Sequence, residues 1–147
     1  MLITRRADFS ASHICAQPVL TPEQNAALYG PASNPSGHGH NYVLEVTLEG
    51  DPDPVTGMVF DLKKLKDLIQ QTVIDPMDHR FLNYEVPPFD KIVPTTENVA
   101  AEIWRRLEPH FASGPARSNN VRLHNVRLYE TDDLYVDYAG ADAEVRG

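Results

Sequence analysis

The feature that most constrains the fold is the alternation of side-chain types along residues 38–49, HGHNYVLEVTLE. Successive side chains of an extended strand point to opposite faces of a sheet, so this pattern predicts a strand with one buried face. The buried face would carry His38, His40, Tyr42, Leu44, Val46 and Leu48. The opposite face would carry Asn41, Glu45, Thr47 and Glu49. The chain is therefore predicted to contain a sheet that covers a hydrophobic core on one side.

Two further regions are predicted to form strands. Residues 2–15 alternate in the same way, so that every second side chain from Phe9 to His13 shares a face. Residues 120–139 predict a hairpin, in which VRLHNVRLY and LYVDY flank a polar turn. The alternation slips near His124, where we expect a bulge or the start of the strand.

Two amphipathic helices are predicted between these strands. Asp61 is a suitable N-cap for a helix that should end before Pro76, and Thr95 or Thr96 is suited to cap the second. The order β-β-α-α-β-β predicts an α+β fold in a single domain over residues 1–147, with an antiparallel four-stranded sheet and both helices on one face. Such a sheet leaves its edges and its other face without partners, so we expect an oligomer.

Composition limits the class of partner. Of 147 residues, 41% are hydrophobic and 23% are charged, the balance of a globular protein. The net charge of −8 argues against binding to nucleic acid or to an anionic membrane surface. No apolar stretch approaches the roughly 20 residues of a membrane-spanning helix. A single cysteine, Cys15, cannot form an internal disulfide, so a reducing compartment is expected, with the cytoplasm as the default.

Three histidines are candidate ligands of a divalent metal, with zinc as the leading choice. His38 and His40 would point to the same side of one strand, with room for close approach at Gly37 and Gly39. If the first two strands pair, His13 can join them. Three neutral imidazoles with one open position form the arrangement of a catalytic zinc site, in which the metal acidifies a bound hydroxyl or water. The simpler alternative is that these are strand histidines satisfied by hydrogen bonds.

The other polar candidates are ambiguous from residue types alone. Asp78 and His79 can be an acid–base pair with carboxylate support, although a surface turn is the simpler interpretation. Cys15 can be a reactive thiolate or a small buried residue, and burial is the simpler interpretation. His110 and His124 are interpreted as ordinary surface positions.

Six blocks of sequence closely resemble the 6-pyruvoyl-tetrahydropterin synthase family, including its bacterial 6-carboxy-tetrahydropterin synthase relatives. The blocks are FSASH at 9–13, NPSGHGHNY at 34–42, DPVTGMVFDLKKLK at 53–66, PMDHRFLN at 76–83, VPTTENVA at 93–100 and LYETDD at 128–133. They follow the family's order with fitting gaps from about residue 5 to residue 140. Together they are far more specific than any one of them alone.

The resemblance implies a tunnelling fold, in which three subunits form a continuous barrel and two trimers stack into a homohexamer with active sites at subunit interfaces. The implied zinc ligands are His13, His38 and His40. The implied pterin site is Glu130, with Thr95, Thr96 and Glu97 nearby. A carboxylate suits a pterin because it can accept two parallel hydrogen bonds from the amino group and the ring N–H. Asp78 and His79 match the family's catalytic pair.

The resemblance also implies a reaction. A zinc-dependent carbon–oxygen lyase would convert 7,8-dihydroneopterin triphosphate to 6-pyruvoyl-tetrahydropterin and release triphosphate. Zinc would bind the side-chain hydroxyls and make the adjacent C–H more acidic, and no nicotinamide is needed because the redox change is internal. One alternative is a 6-carboxy-tetrahydropterin synthase of the queuosine (deazapurine) pathway.

The chain departs from the family at one position. The family's cysteine base lies a few residues before H-G-H, and the aligned residue here is Ala32, which cannot accept a proton. Cys15, two residues after a predicted zinc ligand, would face the same side if the strand continues, and it is a candidate base. The alternatives are His79, supported by Asp78, or Ser33 as a poor substitute.

Two other function classes follow from these observations. A homologue that has lost catalysis with its cysteine would bind pterin and zinc and release no triphosphate. A cupin-type metal barrel is suggested by H-x-H followed by Glu45, but the chain has no second histidine motif of that kind and has two predicted helices.

Overall fold

The computed structural model describes residues 1–112 and 120–141. It contains a five-stranded mixed sheet in the order β3-β1-β2-β4-β5. The strands are β1 (Leu2–His13), β2 (His38–Glu49), β3 (Arg80–Phe81), β4 (Arg122–Thr131) and β5 (Leu134–Tyr138). The α+β class is confirmed, and the four predicted strands are present.

The predicted strand count was wrong, because β3 adds a short fifth strand. Arg80 and Phe81 pair in parallel with Ala11 and Ser12 of β1, which makes the sheet mixed rather than antiparallel. Two residues are too few to show a periodic pattern, so this strand exists through its tertiary contacts with β1.

The pairing of β1 with β2 runs without interruption over twelve residue pairs, from Leu2 opposite Glu49 to His13 opposite His38. Between β2 and β4 the register shifts, since Thr47 pairs with Asn125 whereas Leu48 pairs with Leu123. His124 is therefore the extra residue of a bulge, as its sequence context predicted.

The two predicted helices are α2 (Leu62–Ile69) and α5 (Thr96–Leu107), and further helical segments surround them. These segments are α1 (Pro22–Tyr29) with a 3₁₀ turn at Gly30–Ser33, a π turn at Gln70–Ile74, α3 (Asp75–Met77), α4 (Leu82–Glu85) and α6 (Pro109–Ala112).

Both predicted helices are capped as expected. The Asp61 side chain accepts hydrogen bonds from the first-turn amides of α2, and Thr95 Oγ1 accepts one from Asn98 N at 3.3 Å. The predicted end of the first helix before Pro76 was wrong, because the helical path continues through the π turn to Met77. Pro76 lies in the first turn of α3, where its missing N–H is tolerated.

The hydrophobic core lies between one face of the sheet and the helices. Alternate residues of β2 from Tyr42 to Leu48 are fully buried, and so are Leu65 of α2 and Ile103 of α5. The opposite face of β1 exposes polar and charged side chains such as Arg6. The periodicity of β2 therefore predicted the correct buried face. Within residues 1–112 and 120–141, none of the helices combines the length and apolar character that crossing a membrane requires.

Candidate metal centre

The β1–β2 register brings three imidazoles together at the end of the core-facing side of the sheet. His13 lies opposite His38, and His40 is the next residue of β2 on the same face. His13 Nε2 is 3.0 Å from His38 Nε2 and 3.1 Å from His40 Nε2. The three side chains each offer one nitrogen, and these atoms all lie within 4.8 Å of one another. This arrangement could hold a metal ion.

A backbone carbonyl determines the orientation of the central imidazole. His13 is fully buried, and its Nδ1 lies 2.8 Å from the carbonyl oxygen of Pro94. A carbonyl can only accept, so Nδ1 carries the hydrogen and the Nε2 lone pair faces the other two imidazoles. Pro94 thus prepares His13 as a ligand through the nitrogen that a metal would use.

The protonation states also suit a cation. Burial lowers the pKa of His13, and the neighbouring imidazoles lower it further. Burial likewise lowers the pKa of His40. Neutral imidazoles are the form that binds metal. His13 Nε2 has no hydrogen to donate, so its lone pair can accept from a neighbouring imidazole or bind a cation placed among the three nitrogens.

Gly37 allows β2 to begin at this point. Its φ is +75°, and a Cβ atom there would lie 2.7 Å from Cζ of Phe81. A side chain is therefore excluded by both conformation and space. The room predicted at Gly39 is less critical, since a Cβ there would have Ala11 O as its nearest neighbour at 3.4 Å.

A carboxylate of β4 borders the three imidazoles. Glu130 Oε1 is 3.3 Å from His40 Nε2 and 3.5 Å from His13 Nε2, and the side chain is 18% exposed. The contacts within 4 Å are to these two imidazoles, so the carboxylate lies to one side of the cluster. It can hold a ligand that also reaches the metal position.

The N-terminus of α5 follows directly after Pro94, whose carbonyl contacts His13. Thr95 caps the helix, Thr96 is buried and Glu97 is exposed. These residues, singled out for pterin binding, are thus in the chain segment that contacts His13.

Cys15 lies beside the His13 ring. Its Sγ is 4.0 Å from His13 Nδ1, the ring nitrogen that also faces Pro94 O, and its backbone N donates to Ala32 O at 2.9 Å. Burial raises the pKa of the thiol to about 11, and the charges of Glu130 and Glu97 contribute. The strand ends at His13, so the predicted continuation of β1 to residue 15 was wrong, although Cys15 Sγ remains close to the His13 ring.

Asp78 and His79 form a carboxylate–imidazole pair beside Ser10 of β1, just before β3. Asp78 Oδ2 lies 2.9 Å from His79 Nδ1, and Asp78 Oδ1 accepts from Ser10 N at 2.8 Å. The hydrogen bond from Ser10 N lowers the pKa of Asp78, so the carboxylate stays ionised. His79 has a positive φ of 59° and an 83% exposed side chain. Among residues 1–112 and 120–141 of one chain, no hydrogen bond or ion pair joins His79 to the three imidazoles.

Two other histidines are at the surface, as expected. His110 is exposed, and His124 is 39% exposed with Nδ1 3.6 Å from Glu49 Oε2. Sequence reasoning missed the carbonyl of Pro94 and the side chain of Asn83, which binds the backbone just after His13. Both residues are inside family-like blocks, but a backbone carbonyl leaves no signal in side-chain types.

Comparison with known proteins places these features in a family context. The chain matches the family model described as 6-pyruvoyl tetrahydropterin synthase over residues 2–141. The 6-pyruvoyl tetrahydrobiopterin synthase of Homo sapiens is 43% identical over 138 residues, covering 94% of this chain and 90% of that protein. The solved structure of Caenorhabditis elegans 6-pyruvoyl tetrahydropterin synthase is similar with a TM-score of 0.86 and 35% identity over 96% of each chain. A 6-carboxy-5,6,7,8-tetrahydropterin synthase of Rickettsia felis is 27% identical, covering 91% of this chain and 96% of that protein.

Proposed function

The chain belongs to the 6-pyruvoyl tetrahydropterin synthase family, and on this premise we propose that it is a zinc-dependent carbon–oxygen lyase of the cytoplasm. Its proposed reaction converts 7,8-dihydroneopterin triphosphate to 6-pyruvoyl-tetrahydropterin with release of triphosphate. The observation that carries the proposal is the convergence of His13, His38 and His40 with Glu130 alongside.

The donor set fits zinc. Zn–N bonds of about 2.0–2.1 Å in tetrahedral geometry separate ligand nitrogens by roughly 3.4 Å. The Nε2 atoms of His38 and His40 lie 3.0 and 3.1 Å from His13 Nε2, close to that separation. When bound, zinc would supply Lewis acidity to side-chain hydroxyls of the substrate, which favours removal of the adjacent C–H proton. Three imidazole ligands leave a coordination position for those hydroxyls.

The chain's own residues supply recognition and proton transfer in this proposal. Glu130 accepts hydrogen bonds from the pterin ring and orients it, with the α5 N-terminus from Thr95 to Glu97 as its wall. The position of Glu130 within 3.5 Å of two imidazoles supports this role, because a ring held there would lie next to the proposed metal position. His79, kept in place by Asp78, would act as an acid or base.

His79 is proposed to act on the site of a neighbouring subunit. Two observations support this proposal. The imidazole is exposed, and within residues 1–112 and 120–141 of one chain it makes no hydrogen bond to the three clustered histidines. The same arrangement implies that a single chain is incomplete as a catalyst.

The relatives favour the pyruvoyl product over the alternative. Identity to the human pyruvoyl-type relative is 43%, against 27% to the carboxy-type relative of Rickettsia felis. A 6-carboxy-tetrahydropterin synthase of the queuosine pathway is accordingly the second candidate.

The direct test is to incubate the zinc-loaded protein with 7,8-dihydroneopterin triphosphate and identify the products by mass. The proposal expects triphosphate and 6-pyruvoyl-tetrahydropterin in equal amounts. A 6-carboxy product would instead favour the second candidate. Pterin binding without triphosphate release would favour a homologue that has lost catalysis together with the family's cysteine.

The protein is expected to be a homohexamer of two stacked trimers. Within residues 1–112 and 120–141, the outer edge of β1 has no strand partner before Ala11, since β3 pairs with Ala11 and Ser12 and Asp78 and His79 bind Ser10. Exposed edges favour pairing with another chain. Light scattering at micromolar concentration should give six chain masses. A monomeric mass would contradict both the hexamer and the proposed action of His79 across an interface.

The catalytic base is a separate prediction, tested by the variants Cys15→Ala and Ala32→Cys. Cys15 N binds Ala32 O, so the remaining thiol of the chain is adjacent to the position of the family's cysteine. If Cys15 is the base, Cys15→Ala should reduce triphosphate release by about 100-fold or more at unchanged zinc content. Ala32→Cys should restore activity to that variant.

Full activity of Cys15→Ala would exclude Cys15 and leave His79 as the leading base. Burial raises the pKa of the Cys15 thiol to about 11, which keeps it protonated at neutral pH and counts against its acting as the base. If the natural protein releases no triphosphate and Ala32→Cys creates this activity, the result would instead support a homologue that has lost catalysis together with the family's cysteine.

A further inference from the structure

Among the residues that the structure describes, no strand pairs with the segment that follows His13. The β1–β2 pairing ends at the His13–His38 pair, yet Ile14 and Cys15 are each only 8% exposed. Buried backbone N–H and C=O groups without partners cost as much free energy as a lost hydrogen bond. This segment therefore needs hydrogen-bond partners from elsewhere in the fold.

Asn83 of α4 supplies both partners for Ile14. Its Oδ1 accepts from Ile14 N at 2.8 Å, and its Nδ2 donates to Ile14 O at 2.9 Å. A side-chain amide has the same donor and acceptor as a peptide group, so Asn83 takes the place of a neighbouring strand.

The Asn83 contact is the last of a series between β1 and residues 78–83. Asp78 Oδ1 and His79 N bind the backbone of Ser10. Arg80 and Phe81 pair with Ala11 and Ser12. Asn83 thus extends to Ile14 a ladder that would otherwise end at β3.

A second asparagine holds the other end of the segment. Asn25 is buried, its Oδ1 accepts from Gln17 N at 2.8 Å, and its Nδ2 donates to Gln17 O at 3.1 Å. Between the two asparagines, Cys15 N donates to Ala32 O at 2.9 Å. The backbone around Cys15 is held at three points.

We propose that Asn83 is a positioning residue of the active site, which holds Ile14 and thereby fixes Cys15 between His13 and Ala32. Asn25 performs the same task at Gln17. The catalytic part of this inference rests on the proposed function, whereas the positioning part does not.

The chemistry of the amide makes the inference specific. An aspartate at position 83 has nearly the same shape and can still accept from Ile14 N. It would, however, place a carboxylate oxygen against Ile14 O, where a donor is required. Asn83→Asp should therefore behave like Asn83→Ala, which a role in filling space alone would not produce.

The test uses the single cysteine of the chain as a reporter. Alkylation by iodoacetamide modifies Cys15 alone, and its rate measures how often the segment opens. We expect Asn83→Ala and Asn83→Asp to accelerate labelling about tenfold or more. The acceleration should not depend on urea at low concentrations, because local opening exposes little surface whereas global unfolding exposes much. Asn125→Ala is the matched control and should label at the natural rate, because the Asn125 amide binds Asp137 on the opposite face of the sheet.

Activity and zinc content are measured in the same variants. With stoichiometric zinc, kcat for triphosphate release should fall about tenfold in both Asn83 variants while KM changes little. Unchanged labelling of both variants would overturn the positioning role, and faster labelling with unchanged kcat would overturn its link to catalysis.

A natural protein that releases no triphosphate would refute the proposed function, while the labelling still decides the positioning. If the Asn83 variants do not fold, Asn25→Asp carries the same labelling test, and an unchanged rate there overturns the inference.

Discussion

Replacing His38 or His40 by alanine is expected to abolish stoichiometric zinc binding. Each change removes one of three nitrogens that lie within 4.8 Å of one another. Mutation of a residue that hydrogen-bonds to a metal ligand typically lowers metal affinity by about 10–100-fold, and loss of the ligand itself should lower it more. Metal analysis after dialysis against a weak chelator measures the effect directly.

These two positions give a cleaner result than His13. His13 is fully buried and binds Pro94 O, so its removal would leave a cavity and an unpaired carbonyl, and unfolding would then complicate metal loss. His38 and His40 are partly exposed, which reduces this cost. His110→Ala, at an exposed position, is the control and should keep its zinc. Full zinc occupancy in both His38→Ala and His40→Ala would disprove the assignment.

Glu130→Gln is expected to weaken pterin binding by about 2–3 kcal/mol, or roughly 30- to 150-fold. Glutamine preserves the shape of the side chain but removes the charge and one of the two acceptor oxygens. The pterin amino group and ring N–H would then face one acceptor and one competing donor. Titration of the zinc-loaded protein with a pterin measures the change.

Zinc content must be determined for this variant, because Glu130 approaches two of the ligand imidazoles. Glu108→Gln, an exposed carboxylate beyond the end of α5, is a matched control and should bind pterin normally. Unchanged pterin affinity of a fully zinc-loaded Glu130→Gln variant would place the pterin pocket elsewhere.

Local pattern was sufficient for most of the fold. The period of two in residues 38–49 predicted β2 with its buried face, and the slip at His124 predicted the bulge, because both are properties of consecutive side chains. Helix caps were likewise recognisable at Asp61 and Thr95. The fifth strand could not be recognised, because two residues at positions 80–81 are too few to show a period. They form a strand only by pairing with residues of β1 that are distant in sequence.

The candidate site divides in the same way. Side-chain type and spacing indicated His38 and His40 as a pair on one strand face, with His13 joining them if the first two strands pair, and the family blocks added Glu130. The supporting contacts of Pro94 and Asn83 could not be predicted, since one uses a backbone carbonyl and the other binds a segment about 70 positions away.

The sequence by itself thus determined which imidazoles share a strand face and which family the chain resembles, because alternation and motifs are local. The tertiary structure alone decided three other properties. It set the 3.0 and 3.1 Å separations through the β1–β2 register, and it placed Glu130 beside the cluster through the β2–β4 pairing. It also put the exposed His79 beside Ser10 of β1, apart from the imidazoles of its own chain. These properties depend on strand register and burial, which arise from contacts between residues far apart in the chain.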